Sequence, residues 1–394
     1  MSKQSPTIYK NFLSFIDKSF FSRLVRQHET DKYAKRFSSR ELLTSILICQ
    51  IRWLTSIREL QTELCVQKDL RDDWKLGSFC RSTFSYWINK TDPTVFQKLF
   101  YHMLNKIQKL VCRDTTLSPS HKPSIYSIDA TIIPLCLVLF DWAYYRQKKW
   151  ATKIHTRMNN DSWLPDLILI THGKVADITA CYKMLEGINR WDILLMDRGY
   201  LGYTLLKLIC DKGIIFITRT KENTNYCPVG IIPIVDPRVQ YDCKVEFTST
   251  DSYEKCPEIL RVIRYYDEKN KKIVEFITNN LDLPATTIAE LYRRRREIEI
   301  LFKRLKQNLV IKEFLWTSMN AVQNQIRIAL IYYLVLYYIK LQTKTKESLT
   351  TLARKLDALL YNRTDILVLV WISVDRVHRA LAPPGQGLFE NMSV

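Results

Sequence analysis

The chain has 394 residues, 47% of them hydrophobic, with 9 glycines, 13 prolines and a formal net charge of +19. That is enough apolar content for two or three domains with a sizeable core, and too little glycine and proline for a collagen-like or low-complexity chain. A charge this positive points to a polyanionic partner, with nucleic acid first and an acidic lipid surface as the plainer alternative.

The ten cysteines form no C-x-x-C pair, and the six histidines are scattered, so no zinc-binding spacing arises. They read as free, mostly buried thiols of a reducing compartment. The opening stretch MSKQSPTIYKNF has no apolar segment of signal-peptide type. The longest apolar run, Ile328–Ile339, is bounded by Arg327 and Lys340. It falls short of the roughly 20 residues of a membrane span and reads as a buried core helix. A soluble, cytoplasmic protein is the expectation.

Residues up to about 115 read as helical. Ser38-Ser39-Arg40-Glu41 has the form of a capping box flanked by a Phe37–Leu42 staple, and Ser56 with Glu59 offers a second box. Short helices ending in CRSTFSYWINK (80–90), rich in small polar and basic residues, suggest a helix-turn-helix-like DNA reader; an ordinary helical bundle is the alternative. From 124 the pattern changes. IYSID (125–129), WATKIHTRM (150–158), LPDLILITH (164–172), DILLMD (192–197) and IIFITR (214–219) read as strands, with Asp177 as a candidate cap of one intervening helix. Strands alternating with helices predict a mixed α/β fold. Residues 222–285 alternate like strands, with a turn near Glu268-Lys269-Asn270, and predict an all-β insertion. From about 286 to 342 the chain again reads as helical, and the tail 346–394 opens with a helix and carries a loop-like APPGQG.

The stretch YRRRREIEILFKRLK (292–306) is the most lopsided helix. With Tyr292 at zero and about 100° per residue, Arg295, Glu299 and Lys306 fall near 300°, 340° and 320°. Ile298, Leu301, Phe302, Leu305 and Leu309 form the apolar stripe beside them, and Glu297 lies off both faces. Taken alone this is a solvated ion-pair face. Two further acids change the reading. Asp129 and Asp197 each end a strand-like run, where α/β sheets place their sites, although either could simply cap a turn. Three carboxylates at one place repel unless cations neutralise them, and two Mg²⁺ ions would do so while activating an attacking oxygen at a phosphodiester.

These residues resemble a known family. Tyr292-x2-Arg295-x3-Glu299-x6-Lys306 is similar to the Y-R-E-K signature of DDE transposases of the insertion-sequence-four type. DRGY (197–200) and SIDAT (127–131) resemble that family's second and first acid motifs, and KIH (153–155), FITRTKEN (216–223) and IKEFLWTSMNAVQNQI (311–326) read like its flanks. The resemblance runs from about residue 8 to 340. It implies a helical N-terminal DNA-binding domain (1–118) and a ribonuclease-H-like α/β catalytic core (119–221 and 286–345). It further implies a β-strand insertion (222–285) and a helical C-terminal tail (346–394). Asp129, Asp197 and Glu299 would be the catalytic residues and would bind Mg²⁺, with Mn²⁺ as a substitute. Tyr292, Arg295 and Lys306 would hold DNA phosphates, joined by Arg296, Lys303 and Arg198. The enzyme would cut double-stranded DNA at terminal inverted repeats and join the 3′-hydroxyl ends to a target. It would act as a homodimer on the bacterial nucleoid.

The family's Trp after the signature arginine is here Arg296, and a His before Asp177 is here Ala176. No Trp lies between Trp191 and Trp316 to stack on a flipped base, which leaves Tyr226, Tyr241 or Tyr253 for that role and puts a hairpin intermediate in doubt. Two other functions share the same residues: a catalytically inactive DNA-binding relative, and a metal-dependent nuclease that does not join strands.

Overall fold

The capping box at Ser38 is formed. The Ser38 amide donates to the Glu41 carboxylate at 2.6 Å, the Glu41 amide to the Ser38 hydroxyl at 3.4 Å, and Phe37 and Leu42 are both buried. Ser56 also caps its helix, accepting from the Glu59 amide at 3.1 Å, but the Glu59 carboxylate turns to the Thr55 amide at 2.7 Å instead of closing a second box. The computed structural model describes residues 6–35, 37–67, 76–114, 123–135, 144–145, 149–308 and 318–367. The chain divides into two compact units, one of residues 1–107 with 304–394 and one of residues 108–303.

The first unit opens with helices α1 (Ile8–Ser14), α2 (Lys18–Gln27), α3 (Ser39–Arg52), α4 (Ile57–Val66), α5 (Arg81–Lys90) and α6 (Pro93–Asp114). The expected reader helix is α5. It buries Phe84, Trp87 and Ile88 and exposes Arg81, Ser82, Tyr86 and Lys90.

The second unit is built on one sheet. Its elements run β1 (Ile125–Leu135), β2 (Tyr144–Tyr145), β3 (Lys149–Asn159), β4 (Leu164–His172), α7 (Asp177–Met184), β5 (Ile193–Met196) and a 3₁₀ turn (Arg198–Tyr200). They continue through α8 (Tyr203–Asp211), β6 (Ile215–Arg219), β7 (Tyr226–Ile231), β8 (Val239–Phe247), α9 (Thr250–Lys255), β9 (Leu260–Asp267), β10 (Lys272–Thr278), α10 (Ala285–Arg293) and the start of α11 (Arg296–Asn308), whose residues from 304 on belong to the first unit. The strand order is β2-β3-β1-β5-β6-β10-β9-β8-β7, with β4 also on β3. β5 pairs in parallel with β1 and β6, and the other pairings are antiparallel.

Side chains alternate across these strands and divide the core in two. Ile128, Leu194, Met196 and Phe216 face α7 and α8, packing on Met184, Leu205 and Ile209. Ile125, Ile193, Leu195, Ile217 and Phe276 face the other way, against Ile288 and Ala289 of α10. Segment 222–285 is not a separate sheet: β10 pairs with the free edge of β6, so β7–β10 extend the same sheet, and α9 interrupts them. An unpaired β6 edge would leave a row of backbone groups unsatisfied.

Asp177 does not cap α7. Ala176 holds the cap position with no side-chain bond, and the Asp177 carboxylate turns to Lys153 at 3.1 Å and His155 at 3.5 Å. Burial lowers the His155 imidazole to about 4. In the β8–β9 pair, Arg261 donates to both oxygens of Asp242 at 2.7 Å, and both side chains are 3% exposed. Removing one partner leaves a buried charge uncompensated, so Asp242→Ala is expected to cost about 3–5 kcal/mol in denaturant unfolding. A change under about 1 kcal/mol would mean that water reaches the pair.

The chain then returns to the first unit with α12 (Met319–Thr343) and α13 (Leu349–Leu359). The run Ile328–Ile339 lies in α12, mostly buried, and packs on α3, α5 and α13. Asn324 beneath it donates to the carbonyls of Ile88 and Thr91, each at 2.9 Å, closing the C-terminal end of α5. Of the segment 286–345, expected to join the catalytic core, residues 286–303 lie in the unit that holds the sheet and 304–345 in the first unit. APPGQG and residues 311–317 lie outside the described residues. Among the described cysteines all are free: Cys49, Cys181, Cys243 and Cys256 are buried, Cys210 is partly so, and Cys65, Cys80 and Cys227 are exposed.

Candidate active site

The sheet register sets two carboxylates side by side. β1 and β5 pair in parallel from Ile125–Ile193 to Ile128–Met196, so the next residues in step are Asp129 and Asp197. Both lie on the α10 face, continuing the columns Ile125-Ser127-Asp129 and Ile193-Leu195-Asp197. β6 adds a third column, Ile215-Ile217-Arg219. Each column starts on an isoleucine packed under α10 and becomes charged at its C-terminal end. Asp129 does not end its strand, as expected from sequence. β1 runs on to Leu135, paired only with β3, with Asp129 opposite Thr156. What ends at Ile128 is the pairing with β5, and that opens the space beside Asp129.

The arginine-rich segment covers this space. It is not one uniform helix: α10 ends at Arg293, α11 begins at Arg296, and the amides of Arg294, Arg295, Glu297 and Ile298 bond three residues back. Three residues per turn place i and i+3 on one line, so Arg295 lies over Tyr292, with its guanidinium 5.8 Å from the ring centre.

The four arginines diverge. Arg293 reaches Asp267 at 3.3 Å, and Arg294 reaches Asp161 at 3.1 Å and the Asn160 carbonyl at 2.8 Å. Arg295 bridges Asp129, at 3.1 Å, and Glu299. Arg296 is exposed. Arg295 is thus turned inward to the carboxylates, with its side chain 11% exposed, and not outward as expected.

Asn160 fixes this junction to the sheet. It is fully buried, accepts from the Ser127 hydroxyl at 2.8 Å and donates to the Arg294 carbonyl at 2.8 Å. Arg219 holds Asp197 at 3.4 Å and stacks over Tyr292 at 5.9 Å. The sequence reading singled out neither residue. Alternation along IIFITR could have found Arg219, which follows Ile215 and Ile217 on one face. Nothing in the sequence marks Asn160, because its partners come from β1 and from the helix junction.

The structure therefore gathers Asp129, Asp197, Glu299, Tyr292 and Arg295. Arg198 is exposed in the 3₁₀ turn beside Asp197. Lys303 is exposed further along α11, and Lys306 lies beyond it, within the other compact unit. Burial raises the Asp129 carboxyl to about 6; the Ala130 amide and Arg295 oppose the rise, and Asp197 and Glu299 add to it. Tyr292 is raised mainly by burial, against the Arg295 and Arg219 guanidiniums, which lower it.

Among the described residues no three His, Cys, Asp or Glu side chains converge tightly enough to hold one ion. The donors nonetheless fit a hard divalent cation in kind: carboxylate oxygens, coupled to one another, two of them already bridged by a guanidinium. No helix among the described residues is long and apolar enough to cross a membrane.

Residues 120–335, which contain all three carboxylates and both arginines, match the transposase DDE domain family. The chain belongs to that family. Residues 4–71 match a separate domain of unknown function. Relatives agree with the assignment. A probable transposase for insertion sequence element IS5377 of Geobacillus stearothermophilus is 23% identical over 321 residues, which is 80% of each chain. The y4zB protein of Sinorhizobium fredii, which carries a transposase name, is 31% identical over 218 residues, 53% of this chain and 59% of its own. The piggyBac transposase in its synaptic complex with hairpin DNA overlaps 98% of this chain and 85% of its own at a TM-score of 0.45 and 12% identity, and nothing about this site follows from that likeness.

Proposed function

We propose that this transposase cuts DNA at the terminal inverted repeats of its element and joins the 3′-hydroxyl ends to target DNA, using Asp129, Asp197 and Glu299. The observation that carries this reading is the shared sheet face, on which Asp129 and Asp197, side by side where the β1–β5 pairing ends, meet the α10–α11 segment that brings Arg295 and Glu299. The mixed sheet, antiparallel on one side of β1 and parallel on the other, supports a ribonuclease-H-like core. Two Mg²⁺ ions held by the three carboxylates, with Mn²⁺ as a substitute, would activate the attacking oxygen and stabilise the leaving one.

The chain's own cations do the rest. Arg219 and Arg295 offset carboxylate repulsion before DNA arrives, and Asn160 keeps the Arg295–Glu299 turn on the sheet. Tyr292, Arg295 and Lys306, with Arg198, Arg296 and Lys303, hold phosphates. Helix α5 reads the duplex, and two copies pair two ends on the nucleoid.

The joined product tests this reading. A labelled end incubated with a plasmid target yields label covalently linked to the plasmid; cleavage without linkage would make the protein a nuclease. Arg295→Ala is expected to weaken end binding and to reduce the slope of log affinity against log salt by about 0.9, one phosphate contact. An unchanged slope removes Arg295 from the DNA contact.

A further inference from the structure

A groove of about 570 Å³ opens beside Glu299 and runs away from it. It lies on the same sheet face as the three carboxylates. On the sheet side it is lined by Arg219 and by the β9–β10 hairpin, and on the helix side by α10 and the first turn of α11. Six of its lining side chains are cationic and two acidic. Three cations already have acidic partners: Arg219 with Asp197, Arg293 with Asp267, and Arg295 with Asp129 and Glu299. The other three, Lys269, Lys272 and Arg296, are exposed and make no ion pair among the described residues.

The hairpin tip is held in shape. The Asp267 carboxylate accepts from the Lys269 amide at 3.1 Å and the Asn270 side chain at 2.8 Å. The two tip lysines therefore line the groove from a braced turn. Between the cations lie apolar side chains, Val274 and Phe276 of β10 and Ala289 of α10. Cationic groups around an apolar floor match a single nucleic-acid strand, whose charge is in its backbone and whose bases are flat and apolar on their faces. A cavity on the scale of a small-molecule site takes about a nucleotide or two and is too small for a duplex.

We propose that this groove holds single-stranded DNA, namely the strand continuing past the phosphodiester at the carboxylates, and that Lys269 and Lys272 of the hairpin tip clamp its phosphates. The inference rests on the reading of the site as one that cuts DNA. It names the hairpin as the element that takes the strand end. Recognition is of backbone and base faces and is independent of sequence.

The test uses the full chain in EDTA with fluorescent hairpin duplexes of arbitrary sequence, carrying a ten-nucleotide single-stranded tail on the 3′ side, on the 5′ side, or none. Lys269→Glu/Lys272→Glu changes two exposed side chains, and circular dichroism checks that the variant folds. The expected result is a fall of about tenfold or more in affinity for one tailed probe. Its salt slope should shrink by about 1.4, two single-strand contacts, with less than about a twofold change for the blunt probe. An equal loss on all three probes, or no loss on any, overturns the groove. Because binding is read without cleavage, the two readings fail separately. A blunted groove effect with normal cutting removes only the groove, and a tail-specific loss in a protein that never cuts removes only the transposase chemistry.

Discussion

Replacing Asp129 with Asn stabilises the metal-free protein at pH 7.5 and abolishes strand cleavage. Burial lifts this carboxyl from 3.8 to about 6, with Asp197 and Glu299 adding to the rise against the Ala130 amide and Arg295. A carboxyl that holds its proton more tightly folded than unfolded contributes stability that is fully present below 3.8 and lost as pH rises through about 6. The gap of about two units is worth about 3 kcal/mol. That is an upper figure, because the side chain is 22% exposed and partly screened. Asparagine carries no charge to strain the site. Urea unfolding should therefore show a clear gain for Asp129→Asn at pH 7.5 and little at pH 4. An equal gain at both values, or a loss at pH 7.5, would mean that the carboxylate is not strained. Cleavage should fall by at least about 10³, the several kcal/mol of transition-state stabilisation at stake when such a site is broken. The residue thus trades stability for chemistry, as active-site groups often do.

Glu299→Gln abolishes cleavage and spares DNA binding, whereas Glu297→Gln leaves cleavage within a few-fold. The two glutamates are separated by one residue on α11, but only Glu299 meets Arg295 and couples to Asp129. Gln keeps the length and loses the charge, so the phosphate-holding arginines still bind an end. The expected loss is again about 10³ or more. If Glu297→Gln were the damaging change, the phase of α11 over the sheet would be wrong and Asp129 would need another carboxylate partner.

Local chemistry was legible where it depends on near neighbours. The capping box at Ser38, the buried run of α12 and the strands ending in Asp197 and Arg219 follow from spacing alone. The Tyr292-Arg295-Glu299 row was also legible, even though the wheel assumed one continuous helix. The 3₁₀ turn that replaces it at Arg294–Arg295 shifts Arg295 closer to Tyr292 and leaves both on one side. Long-range pairing was not legible. Alternation in 222–285 shows strands but not that Phe276 pairs with Arg219, which merges the segment into the core sheet. Asp129 reads as a strand end because the loss of a parallel neighbour at Ile128 leaves no mark in the chain itself. Asp177 reads as a cap because local rules cannot see Lys153 and His155 across the turn. Arg295 reads as outward-facing for a similar reason: on a wheel its only acid is Glu299, while in three dimensions Asp129 takes its other nitrogen.

Strand cleavage of a labelled DNA end from the element's own flanks tests the central claim most directly, run with Mg²⁺, with Ca²⁺ and with the Asp197→Asn variant. The account predicts nicking at the repeat boundary with Mg²⁺, binding without nicking in Ca²⁺, and no nicking by the variant. Tight binding with no cut under any metal would contradict it. The carboxylates would then hold only their arginines, and the protein would be one that binds DNA ends without processing them.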